Sequence, residues 1–390
     1  MSERCEVAIV GGGPVGLLLA CLLTRRGVDT RVYEQQLSQR EHSRAVGVHP
    51  PGLASLAMVG AAAPLLARGV RVREAFAFGD ERALGHISFD KLSGPYPFIL
   101  TVPQSETERA LEQQLLKLSD RVLCRGQQVF GCEHTKQGAL LRVRPLDGGV
   151  EQRVNARFVV GCDGKQSLVR SSTKIRFRGG AYDEHFVMAD TADETQFGHA
   201  AAVFLTKHGL VESFPLPGGR RRWVVGLGKL PQAASAALVE RLVSERTGQL
   251  ARAATSSMES AFTAEHFMAD RFVEGPLLLA GDAAHVVSPI GGQGMNLGWL
   301  DATLLADVLV RVVAPGIAPK EAYKLLQRYG RERLRAAKSA TRRAELFMSI
   351  GQTKRLRGLR DMSVQALLSP PLAERAAELF AMRGLSSSPL

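Results

Sequence analysis

Apolar and polar positions near the start of the chain follow a strand–helix–strand pattern. Residues 6–10 form a short β-rich run, and an apolar stretch that follows a glycine-rich turn predicts a helix to about Arg26. Gly27 ends this helix, and residues 30–33 predict a second strand that stops at Glu34. The chain therefore opens with a predicted βαβ unit.

Two later apolar runs predict further buried strands of the same sheet. Residues 157–161 run into Cys162-Asp163-Gly164, and residues 277–279 run into Gly281-Asp282. The second run is followed by a glycine-dense turn and an apolar helix over about 297–313. Each predicted strand thus ends on glycine and an acidic residue.

The middle of the chain has a different pattern. Short alternating or apolar runs at 186–189, 201–205, 211–214 and 222–225 are separated by glycine-rich breaks, which predicts an antiparallel sheet with tight turns. A helix is predicted over 233–247, and residues 320–390 are mostly helical with a break at 369–371.

These patterns predict an α/β fold with three parts. A discontinuous Rossmann-like nucleotide-binding domain takes residues 1–72, 98–180 and 265–320. An inserted antiparallel-sheet domain takes residues 73–97 and 181–264. Residues 321–390 form a C-terminal helical segment.

The first glycine-rich turn has the spacing of a dinucleotide-binding motif. Glycines permit a tight turn and close approach of the backbone to a pyrophosphate, the helix N-terminus binds that anion, and the acid after the second strand binds a ribose diol. The residues assigned to these roles are Gly11, Gly13, Pro14, Val15, Gly16 and Glu34. A βα turn without a ligand is the structural alternative.

The glycine-dense segment after residue 280 suits a ligand with a polyol chain and an electron-rich ring. A carboxylate can accept hydrogen bonds from hydroxyls, and backbone NH groups at the start of a helix can stabilise developing negative charge. The residues assigned to this contact are Gly281, Asp282, Pro289, Gly292, Gly294, Met295 and Asn296.

Taken together, the three motifs resemble those of the class A flavoprotein aromatic hydroxylases, the FAD-dependent monooxygenases of the para-hydroxybenzoate hydroxylase type. The resemblance implies that the first motif binds the ADP half of FAD and that the Gly281-Asp282 motif binds its ribityl chain. It places Asp163 between the flavin pyrophosphate and the nicotinamide cofactor. Two shorter segments, Ser43-Arg44-Ala45 and Val102-Pro103-Gln104, are similar to family segments and imply FAD contacts by Arg44 and Gln104.

The resemblance also implies the chemistry. NADPH or NADH reduces FAD, reduced flavin adds O2, and a C4a-hydroperoxide delivers an electrophilic hydroxyl group to an electron-rich ring. Pro289 and the loop after it are the candidates for shielding this site from water. His49 is the candidate for helping a substrate hydroxyl to ionise, because it follows Arg44 by five residues in a segment that passes close to the ring in relatives and histidine ordinarily titrates near neutrality. A plain structural histidine is the alternative. His285 is interpreted as a residue that orients the Gly-Asp loop.

The resemblance further implies that the inserted antiparallel sheet forms the substrate cavity. The residues predicted to line this cavity favour a lipophilic aromatic substrate such as a polyketide, a quinolone or an alkylated or prenylated phenol. They are mostly apolar: Phe76, Phe78, Phe89, Met188, Phe204, Phe214 and Trp223. No arginine pair is placed to hold a small benzoate, since residues 220–222 follow a turn and are expected to be solvated.

The charge of the chain narrows the range of binding partners to be expected. The formal net charge is +12, and from Lys320 onward fifteen Lys and Arg residues stand against six Asp and Glu residues. Six basic residues spaced for one helical face form a basic stripe: Lys324, Arg328, Arg331, Arg335, Lys338 and Arg342. This basic stripe is either a solvated face or a docking face for anionic lipid, which would place the protein at the membrane periphery. Nucleic acid is disfavoured because aromatic residues are not interleaved with the basic ones.

Five cysteines without metal-ligand or disulfide spacing predict reduced thiols, a cytoplasmic location and no metal site. The sequence leaves the oligomeric state open. Three other functions share parts of the motif set: an FAD-dependent reductase of polyprenyl chains, a flavin-dependent halogenase, and an FAD-binding scaffold without turnover. The halogenase is disfavoured because the Trp-x-Trp-x-Ile-Pro segment is missing.

Overall fold

The computed structural model describes residues 3–39, 44–80, 82–352 and 357–385, so Ser43 and the last five residues lie outside the described part. The strands are β1 Glu3–Val10, β2 Thr30–Glu34, β3 Gly47–Val48, β4 Val70–Val72, β5 Glu74–Phe78, β6 Ala83–Ser88, β7 Ile99–Thr101, β8 Leu123–Arg125, β9 Gln127–Thr135, β10 Gly138–Pro145, β11 Gln152–Gly161, β12 Phe177–Ala192, β13 Ala201–Thr206, β14 Gly209–Leu216, β15 Arg220–Leu227, β16 Met258–Ala269, β17 Val273–Glu274, β18 Leu277–Leu279 and β19 His285–Val286. The helices are α1 Pro14–Thr24, α2 Pro50–Ala57, α3 Ala62–Arg68, α4 Gln104–Leu118, α5 Leu168–Ser171, α6 Ala236–Thr247, α7 Gln293–Val313, α8 Pro319–Gln352, α9 Arg357–Leu367 and α10 Leu372–Phe380.

The first large sheet has the strand order β17-β18-β11-β1-β2-β8, with the β9–β10 hairpin attached to β11. Strands β18, β11, β1, β2 and β8 run parallel, and residues 7–10 of β1 are all buried. Continuous apolar runs of this kind are expected in a parallel sheet that is covered on both faces. The carboxyl ends of β1, β2, β11 and β18 therefore meet at one edge of the sheet.

Two apolar helices pack together behind this edge. Residues 16–23 of α1 are buried, and α7 lies against α1. A Cβ at Gly298 of α7 would lie 2.5 Å from a methyl carbon of Val15, so the close approach of the two helices requires glycine there. The N-termini of both helices point toward the same edge as the ends of the parallel strands.

The second large sheet has the order β19-β16-β12-β15-β14-β13-β5-β6. Its neighbouring strands are antiparallel except for β5 and β13, which pair in parallel. Parallel pairing is possible there because a long connection separates these two strands along the chain. The predicted α/β fold with an added sheet is confirmed, and the sheet is mixed at this one position.

The C-terminal helices cover part of the second sheet and contact both sheets. Residues Ala376, Ala377 and Ala381 pack with Phe89 in one apolar cluster, and Tyr329 of α8 donates a hydrogen bond to the carbonyl of Leu279 at 2.7 Å. Strand β12 starts at residue 177 and β16 continues to residue 269, so both strands cross the boundaries expected from the sequence. The three-part division into domains remains a proposal.

All six residues of the basic stripe are exposed on α8, and Arg328 pairs with Glu332 at 2.6 Å. Among the described helices, none is both long and apolar enough to cross a bilayer. The described residues also contain no group of three or more His, Cys, Asp or Glu side chains that could hold a metal ion.

Candidate active site

A cavity of about 1250 Å³ lies between the carboxyl edge of the parallel sheet and one face of the second sheet. It brings together residues that the sequence places far apart. The residues predicted from the sequence that line it are Gly11, Gly13, Pro14, Val15, Glu34, Arg44, His49, Gln104, Asp163, Asp282, Pro289, Gly292, Gly294 and Met295. Gly16, Gly281 and Asn296 do not line the cavity.

The three glycines of the first motif have different physical roles. Gly11 has a φ of +102°, and a Cβ there would lie 2.4 Å from the carbonyl oxygen of Cys162. A Cβ at Gly16 would lie 2.0 Å from the carbonyl oxygen of Gly11, so this glycine lets α1 pack against the strand ends. A Cβ at Gly13 would meet no protein atom within 4 Å, because it would point into the cavity. The middle glycine therefore leaves space for a ligand.

Glu34 lies beside this glycine turn, where a ribose is predicted to bind. Its Oε2 accepts a hydrogen bond from the amide of Gly12 at 2.6 Å, and its Oε1 accepts one from the amide of Gln36 at 2.8 Å. Helix α1 has no acidic residue in its first turn and no side-chain cap. Its N-terminal amides are thus available to an anion, while Glu34 is fixed beside them.

Two further carboxylates face the cavity. The side chain of Asp282 faces the open cavity, but the surrounding protein shields it from bulk water. This desolvation raises the pKa of its carboxyl; the nearby His285 lowers that pKa and Asp301 raises it further. Burial also raises the pKa of Asp163, although hydrogen bonds from Ser167 and the local backbone act to lower it. Oδ2 of Asp163 accepts from the amide of Val169 at 3.2 Å, whereas Oδ1 is buried with no partner in the described part of the chain.

A buried ion network holds the Gly281-Asp282 loop in place. Asp301 of α7 accepts from Nε2 of His285 at 2.6 Å, from Nε of Arg333 at 2.7 Å and from the amide of Gly281 at 3.0 Å. Burial alone would raise the pKa of Asp301, but His285 and Arg333 outweigh it and lower that pKa. His285 does not line the cavity, so the geometry supports its interpretation as a residue that orients the loop.

Arg44 and Gln104 stand at the side of the cavity nearest the second sheet. The guanidinium of Arg44 lies 5.2 Å from the ring centre of Phe262, and its Nε donates to Oγ of Ser260 at 3.0 Å. Nε2 of Gln104 donates to Glu108 at 2.7 Å. Both positions agree with contacts to a bound cofactor, which remain a prediction.

The side chain of Asn296 connects two segments beside the cavity. Its Oδ1 accepts from the amide of His49 at 2.8 Å, and its Nδ2 donates to the carbonyls of Gly47 and Gly292 at 2.9 and 3.0 Å. The side chain is buried behind the cavity wall. Its three bonds tie the loop of Gly292 to the segment that carries His49, and the predicted contact of its backbone with the cofactor stays a prediction.

His49 lines the cavity and is 3% exposed. Burial lowers its pKa to about 4, although the backbone of Gly291 and of Phe380 acts in the opposite direction. The imidazole is therefore neutral at neutral pH, and the titration near neutrality that the sequence suggested does not apply. A neutral ring can still exchange hydrogen bonds with a substrate, so its catalytic role stays a prediction.

The second sheet separates the predicted cavity residues into two groups. Phe89, Met188 and Phe214 line the cavity, whereas Phe204 and Trp223 belong to an apolar cluster under α6 on the opposite face. Neighbouring residues of a strand point to opposite faces, and a sequence alone does not show which face meets the cavity. Phe76 and Phe78 do not line it either.

The expectation that Arg221 and Arg222 are solvated is wrong. They are 0% and 3% exposed, and each is paired with a carboxylate: Arg221 with Asp193 at 3.0 Å, and Arg222 with Asp190 at 2.6 and 2.8 Å. Arginine is tolerated in such positions when its guanidinium binds a carboxylate and backbone carbonyls. Arg222 also lines the cavity, with its charge matched by Asp190.

Sequence reasoning missed a buried acid. Glu212 of β14 lines the cavity, is 9% exposed, and lies in a strand between Leu210 and Phe214. A charged residue placed two positions from apolar residues on the same strand face is the signal that could have identified it.

FAD fits this site by the geometry of the chain itself. The open space in front of Gly13 and the helix N-termini beside it suit a pyrophosphate. The carboxylate of Glu34 suits a ribose, and that of Asp282 suits a polyol chain. The unpartnered Oδ1 of Asp163 adds an acceptor at the boundary of the cavity. The cavity then continues into the apolar face of the second sheet.

Comparison with known proteins agrees with this geometry. Residues 4–344 match the family model described as an FAD binding domain. The chain is 32% identical to 12-dehydrotetracycline 5-monooxygenase/anhydrotetracycline 6-monooxygenase of Streptomyces rimosus, over 94% of this chain and 74% of that protein. It is 32% identical to a dialkyldecalin synthase of Streptomyces rugosporus, over 90% of this chain and 75% of that protein.

A solved structure shows the same fold over the whole chain. The p-nitrophenol 4-monooxygenase of Pseudomonas putida superimposes with a TM-score of 0.88 and covers 100% of both chains at 24% identity. At that identity the likeness shows the fold alone. With the family match and the Streptomyces rimosus relative, the conclusion is that this chain belongs to the FAD-binding-domain family and is a flavoprotein monooxygenase of the class A aromatic hydroxylase type.

Proposed function

We propose that this protein uses FAD, NADPH or NADH, and O2 to hydroxylate a lipophilic aromatic substrate. The observation that carries the proposal is a single cavity that joins the glycine-rich cradle to an apolar pocket. Such a cavity lets a dinucleotide cofactor and an apolar ring share one enclosed space. FAD, when bound, supplies the activation of O2 for transfer of one oxygen atom to an electron-rich ring.

The residues of the cradle bind and orient the cofactor. The amides after Gly13 hold the pyrophosphate, Glu34 accepts hydrogen bonds from the ribose diol, and Asp282 accepts them from the ribityl hydroxyls. The segment from Pro289 to Gly292 walls the cavity beside α7, where it excludes water from the reacting atoms. His49, which is neutral, offers a hydrogen bond to the substrate or to ordered water.

The apolar pocket argues for a lipophilic ring. Met188, Phe214, Val224, Phe262 and Ile290 contribute to its walls. Arg222 in this wall is engaged by a bidentate pair with its own aspartate, so its guanidinium is already matched and is not free to hold a small benzoate carboxylate. A polyketide, a quinolone, or an alkylated or prenylated phenol suits these walls better.

The test is turnover by the FAD-loaded protein with a panel of lipophilic phenols and polyketide aromatics. We expect nicotinamide oxidation stimulated by a subset of them, and a product that carries one oxygen atom from isotopically labelled O2. Asp163→Asn should slow flavin reduction in stopped-flow measurements more than it weakens substrate binding. Absence of oxygen incorporation with every compound would refute the proposed function.

A scaffold that binds FAD without turnover is the alternative. The relative named as a dialkyldecalin synthase is a matched protein whose name is not that of a monooxygenase. The same experiment separates the two functions, because a scaffold without turnover incorporates no oxygen whether or not FAD, the nicotinamide cofactor and O2 are all present. A monooxygenase requires all three components.

A further inference from the structure

The wall of the apolar pocket contains one carboxyl group that the cofactor cradle does not use. Glu212 of β14 lies opposite Val203 of β13 and Val224 of β15, and Val224 lies opposite Met188 of β12. Residues in direct register across a sheet point to the same face. Glu212 is therefore flanked on both sides by apolar side chains in a row that faces the cavity.

The carboxyl of Glu212 has no hydrogen-bond or ion-pair partner among the described residues, and it reaches the cavity surface. Burial raises its pKa to about 7, with no charged neighbour contributing. A buried carboxylate without a partner is costly to maintain, so a fold that keeps one at a ligand cavity gains when a ligand supplies the missing donor.

We propose that Glu212 is the catalytic residue that accepts a hydrogen bond, and then the proton, from a hydroxyl group of the aromatic substrate. This inference rests on the proposed function and names the group that selects the substrate. In the step, the substrate O–H bond breaks, its proton moves to a carboxylate oxygen of Glu212, and the electron pair remains on the substrate oxygen. The conjugated oxyanion raises the electron density of the ring for attack on an electrophilic oxygen.

The other ionisable groups in this half of the cavity do not fill the role. His49 is neutral with a pKa of about 4, and Arg222 is paired with Asp190. Arg44 is a cation that contacts Phe262 and Ser260. Among the described residues of this half, Glu212 is thus the carboxylate whose protonation changes near neutral pH.

The experiment uses β-naphthol and nonylphenol, each compared with its own methyl ether. Dissociation constants are measured by calorimetry with FAD-loaded wild-type protein, Glu212→Gln and the exposed control Glu245→Gln. Flavin content and thermal unfolding first establish that each variant is folded. Glu212→Gln keeps the size of the side chain but cannot take up a proton.

We expect the wild type and Glu245→Gln to bind at least one phenol about tenfold or more tightly than its ether above pH ~7, where the carboxylate is ionised. The preference should shrink as the pH falls through that value, because the protonated acid no longer accepts strongly. In Glu212→Gln the preference and its pH dependence should both be lost.

Two outcomes would overturn the proposal. One is that neither phenol binds better than its ether in the wild type, and the other is that Glu212→Gln keeps the preference unchanged. Oxygen incorporation is measured separately in the same preparations. A protein that hydroxylates but shows no role for Glu212 refutes this inference alone, whereas a protein that never incorporates oxygen refutes the proposed function.

Discussion

Gly13→Val tests whether the glycine turn is built around a ligand. The backbone at Gly13 has a φ of −77° and a ψ of −173°, which valine adopts without strain, and a Cβ there meets no protein atom within 4 Å. We therefore expect the variant to fold. Its side chain fills the space in front of the α1 N-terminus, where the pyrophosphate of FAD is proposed to bind.

The size of the effect follows from the hydrogen bonds that valine excludes. Backbone amides bind phosphate oxygens at N···O distances of about 2.9 Å, so a branched side chain cannot share that space. Losing two hydrogen bonds to a charged group costs about 3–6 kcal/mol in total, or roughly 10²- to 10⁴-fold in affinity. The unfolding free energy of the FAD-free protein should change by only about 1 kcal/mol.

The assay is flavin binding together with thermal unfolding. FAD at about 100 times its dissociation constant should stabilise the wild type by about 2.7 kcal/mol and leave Gly13→Val nearly unshifted. Gly16→Ala is the contrasting control, because its Cβ would lie 2.0 Å from the carbonyl oxygen of Gly11 and should destabilise the fold itself. A Gly13→Val protein that binds FAD as the wild type does would refute the assignment of the cradle.

Three further predictions concern stability, coupling and the surface. Asp301→Ala should lower the unfolding free energy by about 3–5 kcal/mol in chemical denaturation, because it leaves the buried cation of Arg333 without its carboxylate. The control is Asp307→Ala on the same helix, which removes a partly exposed pair with Arg26 and should lower the unfolding free energy by under about 1 kcal/mol. Because folding lowers the pKa of Asp301, its contribution to the free energy of unfolding is present above the unfolded-state pKa and is lost as the pH falls through the folded-state pKa. An acid unfolding curve that is the same in the wild type and in Asp301→Ala would contradict this. His49→Ala should keep FAD but release more hydrogen peroxide per nicotinamide oxidised. Because the pKa of His49 is about 4, the ring should cause no pH dependence near neutrality in the coupling of nicotinamide oxidation to hydroxylation. If the variant couples the two as well as the wild type does, His49 has no part in the mechanism. If the basic stripe docks on anionic vesicles, co-sedimentation should fall with salt and with charge reversal at Arg331 and Arg335, and insensitivity to both would leave it a solvated face.

Local sequence was sufficient to bring most of the predicted cofactor contacts to one cavity. Each apolar strand ends in a short segment that carries glycine or an acid, as at Gly11, Glu34, Asp163 and Asp282. The carboxyl ends of parallel strands meet at one edge of a sheet, so motifs far apart in the chain come together without further information. For this reason, the predicted contacts near these strand ends line one cavity.

Side-chain partners across the fold could not be predicted in the same way. Asn296 was predicted as part of a cofactor loop, but the sequence did not show that its side-chain amide ties that loop to the segment of His49. Arg222 looked solvated because it follows a turn, yet a residue on a neighbouring strand provides the carboxylate that permits its burial. Both outcomes depend on contacts that form only when distant segments pack.

The face of each strand in the second sheet was also decided by tertiary structure. The alternation of residues 210–216 predicts a strand but not which side meets the cavity, and α6 covers the side that holds Phe204 and Trp223. The opposite side places Glu212 against an apolar pocket, where desolvation rather than local sequence sets its pKa. The sequence by itself thus determined the cofactor class through backbone motifs, whereas packing alone decided which side chains line the apolar pocket, because burial and charge partners are properties of the assembled fold.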